Sequence, residues 1–205
     1  MREEIRLPPR SAERATLEDR LHQSRGLARA DLSIAAAATK AGRRPALKPV
    51  TKLAEIADRP PLLAISAAVT VAGFIRRDRK MKRAGLRMLI AVALATSAAK
   101  TGKKLVARTR PTKLVDEHRH AIYRGGAHDH DLESFPSAHA AGGFAAARAA
   151  SRDYPLFAPQ AISTAVVAGG LKVLKGDHFP SDILAGLAIG AAAELVANAI
   201  VPAEN

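Results

Sequence analysis

Six of the seven histidines fall between His118 and His178, in a stretch otherwise dominated by aliphatic residues. Imidazole exchanges protons and attacks electrophiles near neutral pH, so this clustering asks for a chemical reason. Two of these histidines lie next to Pro-Ser pairs. In Ser134-Phe135-Pro136-Ser137-Ala138-His139 the pair stands directly before an Ala-rich stretch. Ser137 suits a helix N-cap, and for an isolated Pro-Ser that role alone is sufficient. A helix N-terminus also presents free amides to an anion, with His139 beside it to supply a proton. In Lys172-Val173-Leu174-Lys175-Gly176-Asp177-His178-Phe179-Pro180-Ser181-Asp182, Pro-Ser-Asp again opens a helix, where Ser181 or Asp182 need be no more than a cap. Asp182 follows His178 by four residues, near enough across the turn to hold one ring nitrogen while the other faces a substrate. A carboxylate in that place fixes the tautomer and stabilises the imidazolium, as a histidine nucleophile or base requires.

Upstream lies a run of cations, Lys103, Lys104, Arg108, Arg110 and Lys113, interrupted by Pro111. As a bare charge run this is a solvated or headgroup-facing helix end, which suffices for Lys104 and Lys113. Lys103 and Arg110 are seven residues apart, about two helical turns, and so can point at one locus. Cations converging there clamp a phosphoryl group.

Taken in order, these three elements resemble the signature of the type 2 phosphatidic acid phosphatase and vanadium haloperoxidase superfamily, K-x6-R-P, P-S-G-H and S-R-x5-H-x3-D. Lys103 to Pro111 matches the first intact. Pro136-Ser137-Ala138-His139 matches the second with alanine for glycine, and His178 and Asp182 keep the spacing of the third, with Leu171-Lys172 where Ser-Arg is expected. The resemblance covers roughly Leu62 to Val201. It implies an all-α, multi-helix membrane bundle and a metal-independent phosphatase without cofactor. His178 would attack phosphorus to give a phosphohistidine, with Asp182 orienting its ring, and His139 would protonate the leaving alkoxide and then activate water. Lys103, Arg110, Ser137 and the amide of Ala138 would hold the equatorial oxygens.

The departures from the signature carry consequences of their own. Lysine at 172 keeps charge but loses the bidentate fork of arginine, and Lys175 is a second candidate for that role. Ala138 fits only where the backbone is ordinary helix. The substrate classes implied are prenyl diphosphates, phosphatidic acid and phosphatidylglycerol phosphate. The rival readings are a vanadate-dependent haloperoxidase, a group generally larger and soluble, and a non-catalytic anion-binding membrane protein. In the loop His128-Asp129-His130-Asp131 the residue types are those of a metal site, but a polar loop beside a site needs no metal to explain it. His118, His120 and Arg124 are candidates for the entrance.

The elements that must position these groups are legible from hydropathy. The mean hydropathy of −0.03 averages a polar first quarter with a later part rich in Ala, Val, Leu and Ile. Residues 1–59 read as a charged extension, broken by Pro8, Pro9, Pro45 and Pro49 and without an N-terminal signal pattern. A helix over Leu27–Ala41 presents Leu27, Leu32, Ile34 and Ala35 either to a membrane interface or to the rest of the chain. Residues 60–205 then hold five apolar segments: Leu62–Ile75, Met88–Ala99, Ala138–Ala150, Phe157–Val173 and Ile183–Val201. Most are shorter than the roughly twenty residues of an independent span, but Ala and Gly allow close helix contact in a compact bundle.

If each segment crosses once, all three motifs fall on one side. The basic run Arg76 to Arg87 falls on the other, which the positive-inside rule makes cytoplasmic, so the motifs face the extracytoplasmic side of a cell membrane. Glu194 must then face the bundle or its cytoplasmic end. The chain lacks cysteine, which removes disulfides and thiolate metal sites from consideration. Lys and Arg total 32 against 19 acidic residues, a net charge of +13. We expect that charge to serve a lipid phosphate and a membrane surface, with no nucleic acid as partner.

Overall fold

The computed structural model describes residues 24–53, 59–125 and 129–202. These form eight helices: α1 (Gly26–Gly42), α2 (Lys48–Leu53), α3 (Arg59–Ile75), α4 (Arg79–Leu105), α5 (Pro111–Glu117), α6 (Ala138–Asp153), α7 (Ala158–Lys175) and α8 (Pro180–Ile200). Between α4 and α6 two short strands, β1 (Val106–Arg108) and β2 (Ile122–Arg124), pair antiparallel with Arg108 opposite Ile122. The five apolar segments are helices α3, α4, α6, α7 and α8. Among the described residues, α4, α8 and α7 with its leading turn are long and apolar enough to cross a membrane, and α3 is a shorter apolar helix. Residues 1–23 and His128 lie outside the described residues.

Helix α4 begins at Arg79, nine residues before the apolar run, because Asp78 caps it by accepting the amide of Met81 at 3.0 Å. Arg87, the last member of the basic run, therefore sits inside the bundle at the end where α4 begins. It is 0 % exposed. Its guanidinium donates to Asp153 at 2.7 Å and to the carbonyls of Ala149 and Val201 at 3.2 and 2.8 Å. Burial of this cation is tolerable because a carboxylate and the electronegative C-terminal ends of α6 and α8 surround it. Glu194 is likewise buried within the bundle, held by Arg148 and Arg152.

The core between α4, α6 and α8 is a seam of small residues at helical spacing. Ala91, Ala95 and Ala99 meet Ala141, Ala145 and Ala149, and Ala193 and Ala197 close the third side. On α8 two glycines bring backbone against backbone. A methyl group at Gly186 would stand 2.5 Å from the Ser137 carbonyl oxygen, and one at Gly190 would stand 2.5 Å from that of Ala141. The seam thus locks the start of α8 against the start of α6, the two helices that carry the last two motifs.

Helix α7 ends at Gly176, whose φ of 81° is the left-handed conformation that suits glycine, and whose amide returns to the carbonyls of Lys172 and Val173. This stop turns the chain so that Asp177 and His178 come back over the end of the bundle. The N-terminal helix α1 packs on the same end: Leu32, Ala35 and Ala36 bury against Leu114 and Phe179. Leu27, which the sequence groups with that face, is 90 % exposed.

Candidate active site

The first motif reaches the site in a way that helical spacing does not foresee. Lys103 lies in the last turn of α4 and donates to the carbonyl of Glu133 at 2.6 Å. The helix then ends at Leu105, β1 runs extended, and Arg110 precedes Pro111, which holds it extended at φ −79°, ψ 155°. Arg110 donates from Nη1 to Asp177 at 3.1 Å. Lys103 and Arg110 thus converge through an extended segment and a turn, with no continuous helix between them.

His139 occupies the first turn of α6, and His178 the connection between α7 and α8. Their ring centroids are 5.9 Å apart. His178 is 1 % exposed, and its Nδ1 lies 2.7 Å from the carbonyl oxygen of Ser134. A carbonyl can only accept, so Nδ1 carries the proton and Nε2 is left with a free lone pair. Burial, then the nearby positive charge of Lys103, with His139 and Arg110 adding to it, holds the imidazole well below its usual pKa. Neutral His178 with its lone pair on Nε2 is the form in which a histidine attacks phosphorus.

Asp182 does not hold the ring directly. Its Oδ2 is 3.9 Å from His178 Nδ1, beyond hydrogen-bond reach. The carboxylate accepts instead from the Ser134 hydroxyl at 2.6 Å, the Phe179 amide at 2.7 Å and Arg108 at 2.6 Å. The carboxylate fixes Ser134, and the Ser134 carbonyl fixes the imidazole. The physical reason is that Asp182 is the third residue of α8, where its carboxylate turns back to the amide preceding the helix.

Ser137 is buried and caps α6, its hydroxyl oxygen accepting the Ala140 amide at 3.3 Å, while its own amide donates to the carbonyl of Asp182 at 3.1 Å. Ala138 is the first residue of α6 and has helical backbone, so glycine is not required there. Lys172 is 2 % exposed, and its carbonyl accepts the amide of Asp177. The side chain of Lys175, 41 % exposed, stands 3.8 Å from Asp177 at the rim. His120 packs its ring on Phe179, and Arg124 lies exposed on β2. In the polar loop, Asp131 pairs with Lys113 at 2.9 Å and Asp129 accepts the amide of Asp131.

Four residues of the site escape the sequence reading of roles. Ser134 and Asp177 adjoin the motifs, and Arg108 lies in the basic run, so proximity was the available signal for them. Asp31, on α1, contacts Arg108 and Ser181 with no signal in the sequence at all.

Two imidazoles and two cations thus gather at one end of a helical bundle, an arrangement whose chemistry suits an anion. The chain belongs to the PAP2 superfamily, whose family model matches residues 84–205. It is 33% identical over 109 residues to the lipid A 1-phosphatase of Rhizobium johnstonii (strain DSM 114642 / LMG 32736 / 3841), a match taking in 52% of this chain and 43% of that protein. The chain thus spans less than half the length of that curated relative. Among solved structures, Aquifex aeolicus LpxE is similar with a TM-score of 0.61 and 21% identity, over 81% of this chain and 93% of its own. The first transmembrane PAP2 type phosphatidylglycerolphosphate phosphatase from Bacillus subtilis is similar with a TM-score of 0.64 and 23% identity, over 90% of each chain. At these identities the two structures establish the fold.

Proposed function

We propose that the protein hydrolyses a phosphomonoester or diphosphate of a membrane lipid through a phosphohistidine intermediate. The observation that carries this reading is the neutral His178, its proton held by the Ser134 carbonyl and its ring 5.9 Å from that of His139, with the charges of Lys103 and Arg110 close enough to act on it. Nε2 attacks phosphorus in line, forming the P–N bond as the P–O bond to the leaving group breaks. His139 delivers a proton to the departing oxygen, then takes one from the water that cleaves the phosphohistidine. Lys103, Arg110, Ser137, the Ala138 amide and Lys172 hold the three equatorial oxygens, since phosphoryl transfer is mostly positioning and charge stabilisation. We assign the arginine position of the third motif to Lys172 on its burial, and Lys175 to the rim.

A lipid substrate is supported by the apolar helices and by a groove of about 780 Å³ floored by Gly143, Ala146 and Ala147. That groove is lined by Leu171, next to Lys172, and extends to Phe157 at the opposite end of α7, a course suited to an acyl or prenyl chain. The relative's substrate, lipid A, extends the candidate classes beyond prenyl diphosphate, phosphatidic acid and phosphatidylglycerol phosphate. We place the bundle in the cell membrane, with Arg76, Arg77, Arg79 and Lys80 cytoplasmic and the pocket extracytoplasmic.

The test is phosphate release from a panel of these lipids in detergent, with chelator present, by wild type and by His178→Ala. We expect a loss of at least about a thousandfold in the variant, the scale for removal of a covalent nucleophile. Equal rates in the two proteins end the mechanism, and bromide oxidation with added vanadate in place of phosphate release transfers the site to peroxidase chemistry.

A further inference from the structure

We propose that Asp31, on the N-terminal helix α1, is a positioning residue of the hydrolytic site, acting on His178 through Arg108 and Asp182. The proposal rests on the phosphatase reading above and extends it to a helix that carries none of the three motifs.

The contacts form one unbroken chain. Asp31 Oδ2 accepts from Arg108 Nη2 at 2.7 Å and from the Ser181 hydroxyl at 2.7 Å, while Oδ1 accepts the Ser181 amide at 2.8 Å. Arg108 Nη1 donates to the same Ser181 hydroxyl at 2.7 Å and to Asp182 at 2.6 Å. Asp182 holds the Ser134 hydroxyl, and the Ser134 carbonyl holds His178 Nδ1. Arg108 lies over one side of the Phe179 ring, 4.0 Å from its centroid, and Phe179 is the residue after the nucleophile. Asp31 also satisfies an amide in the first turn of α8 that would otherwise lack a helical partner. Its carboxylate is thus supplied to the catalytic end from 150 positions away in sequence.

Helix α1 is fastened so that this carboxylate stays in place. Leu32 and Ala35 bury against Leu114 and Phe179, and at the far end of α1 Arg43 makes a two-pronged ion pair with Asp116 of α5, both distances 2.7 Å. Asp31 bonds to Arg108 and Ser181, so its effect travels through the charges behind the ring.

The direction of that effect follows from the groups around His178. The cations are Lys103 from α4, Arg108 from β1, Arg110 before α5 and Lys172 and Lys175 from α7; His139 faces it from α6. The anions are Asp177 beside it, Asp182 from α8, and Asp31 one arginine further out. Without the Asp31 charge, Arg108 is neutralised by Asp182 alone and the field at the ring becomes more positive. The imidazolium is further disfavoured, Nε2 becomes a weaker nucleophile, and the phosphohistidine loses stabilisation.

The experiment uses the full chain in detergent and compares wild type, Asp31→Asn, Asp31→Glu, Arg108→Gln and the Asp31→Asn/Arg108→Gln pair. For Asp31→Asn we expect kcat to fall about tenfold, the usual lower bound for loss of a partner that orients a catalytic group, with KM changed less than about twofold. The acid limb of the kcat/KM profile should move down by about half a unit to one unit, the size of a unit charge acting at several ångström in a partly screened site. Asp31→Glu keeps the charge and should keep the limb. Because Asp31 acts through Arg108, its substitution should add little in the Arg108→Gln background. A merely structural helix anchor would instead lower the melting temperature, leave the limb in place and show additive losses, and that pattern overturns the proposal. Ring ¹⁵N NMR of His178 reads the same titration without turnover: a downward shift in Asp31→Asn supports the proposal and an unmoved titration sinks it, even if wild type proves inactive on every lipid phosphate and the phosphatase reading itself fails. Should Asp31→Asn not fold, Asp31→Ser removes the charge facing Arg108 while keeping a short polar side chain for the Ser181 amide. A severalfold lower kcat at unchanged KM then supports the link, and wild-type kinetics overturn it.

Discussion

The two ends of the bundle use the same side chains to opposite purposes. At the end formed by the start of α4 and the close of α6 and α8, Arg83 and Arg87 grip Asp153, and Arg148 and Arg152 grip Glu194. Both carboxylates are fully buried, each is held by two guanidiniums, and Arg87 is further engaged by two carbonyls. That end is a closed electrostatic clamp. At the other end Lys103 rests on a backbone carbonyl, Arg110 and Lys175 share Asp177, and a neutral imidazole sits among them. There the cations gather around an uncharged imidazole. Buried charge by itself therefore does not mark a candidate site; what separates the two ends is the neutral histidine set among the cations, which the clamp lacks among the described residues.

That contrast can be broken from either side. The largest effect is expected at the closed end: Asp153→Ala leaves Arg87 buried without its carboxylate, a change worth about 3–5 kcal/mol for a buried pair. It should appear as a steep drop in melting temperature, with any folded fraction keeping the wild-type pH profile of phosphate release. An Asp153→Ala protein of unchanged stability would show the clamp to be dispensable. At the open end, Lys172→Ala should lower kcat/KM about tenfold, the scale of one charge-assisted contact to phosphate, while Lys175→Ala at the rim should change it less than about twofold. The reverse ranking would exchange the roles of the two lysines. Lys172→Arg, which restores the fork, should raise kcat/KM above wild type if the pocket admits it.

The smallest effect sharpens the comparison through pH. His178 binds its proton less readily folded than unfolded, so between its lowered folded value and about 6.5 the unfolded chain holds more protons. Stability should be flat with respect to this group above about pH 6.5 and decline as pH falls through that window. His178→Gln should flatten the decline measured by thermal melts in detergent, while substitutions at the closed end should leave its position unchanged.

Much of this arrangement is local, and what is local was legible. The five apolar helices follow from hydropathy, and Ser137, Ala138, His139, His178 and Asp182 sit on short stretches whose caps and spacing can be read directly. The burial of Arg87 had no signal, because the basic run Arg76 to Arg87 looks uniform in sequence and the partners that draw its last member inside, Asp153 and Val201, lie more than sixty positions away. Lys103 and Arg110 were grouped by helical spacing, and the helix between them ends at Leu105. The Asp182–His178 contact was inferred from an interval of four; the first turn of α8 diverts the carboxylate to an amide, and Ser134 takes its place. Asp31 left no trace, since nothing in a carboxylate on an amphipathic helix names the arginine it will meet.

The glycine and alanine seam has one more consequence. Because Gly186 and Gly190 let main chain touch main chain, the interval between the two imidazoles is set chiefly by the peptide skeleton, with only small side chains between the helices. The outward faces of α3 and α7 can then be rewritten while the two rings keep their separation, much as a tool can change its handle without regrinding the blade.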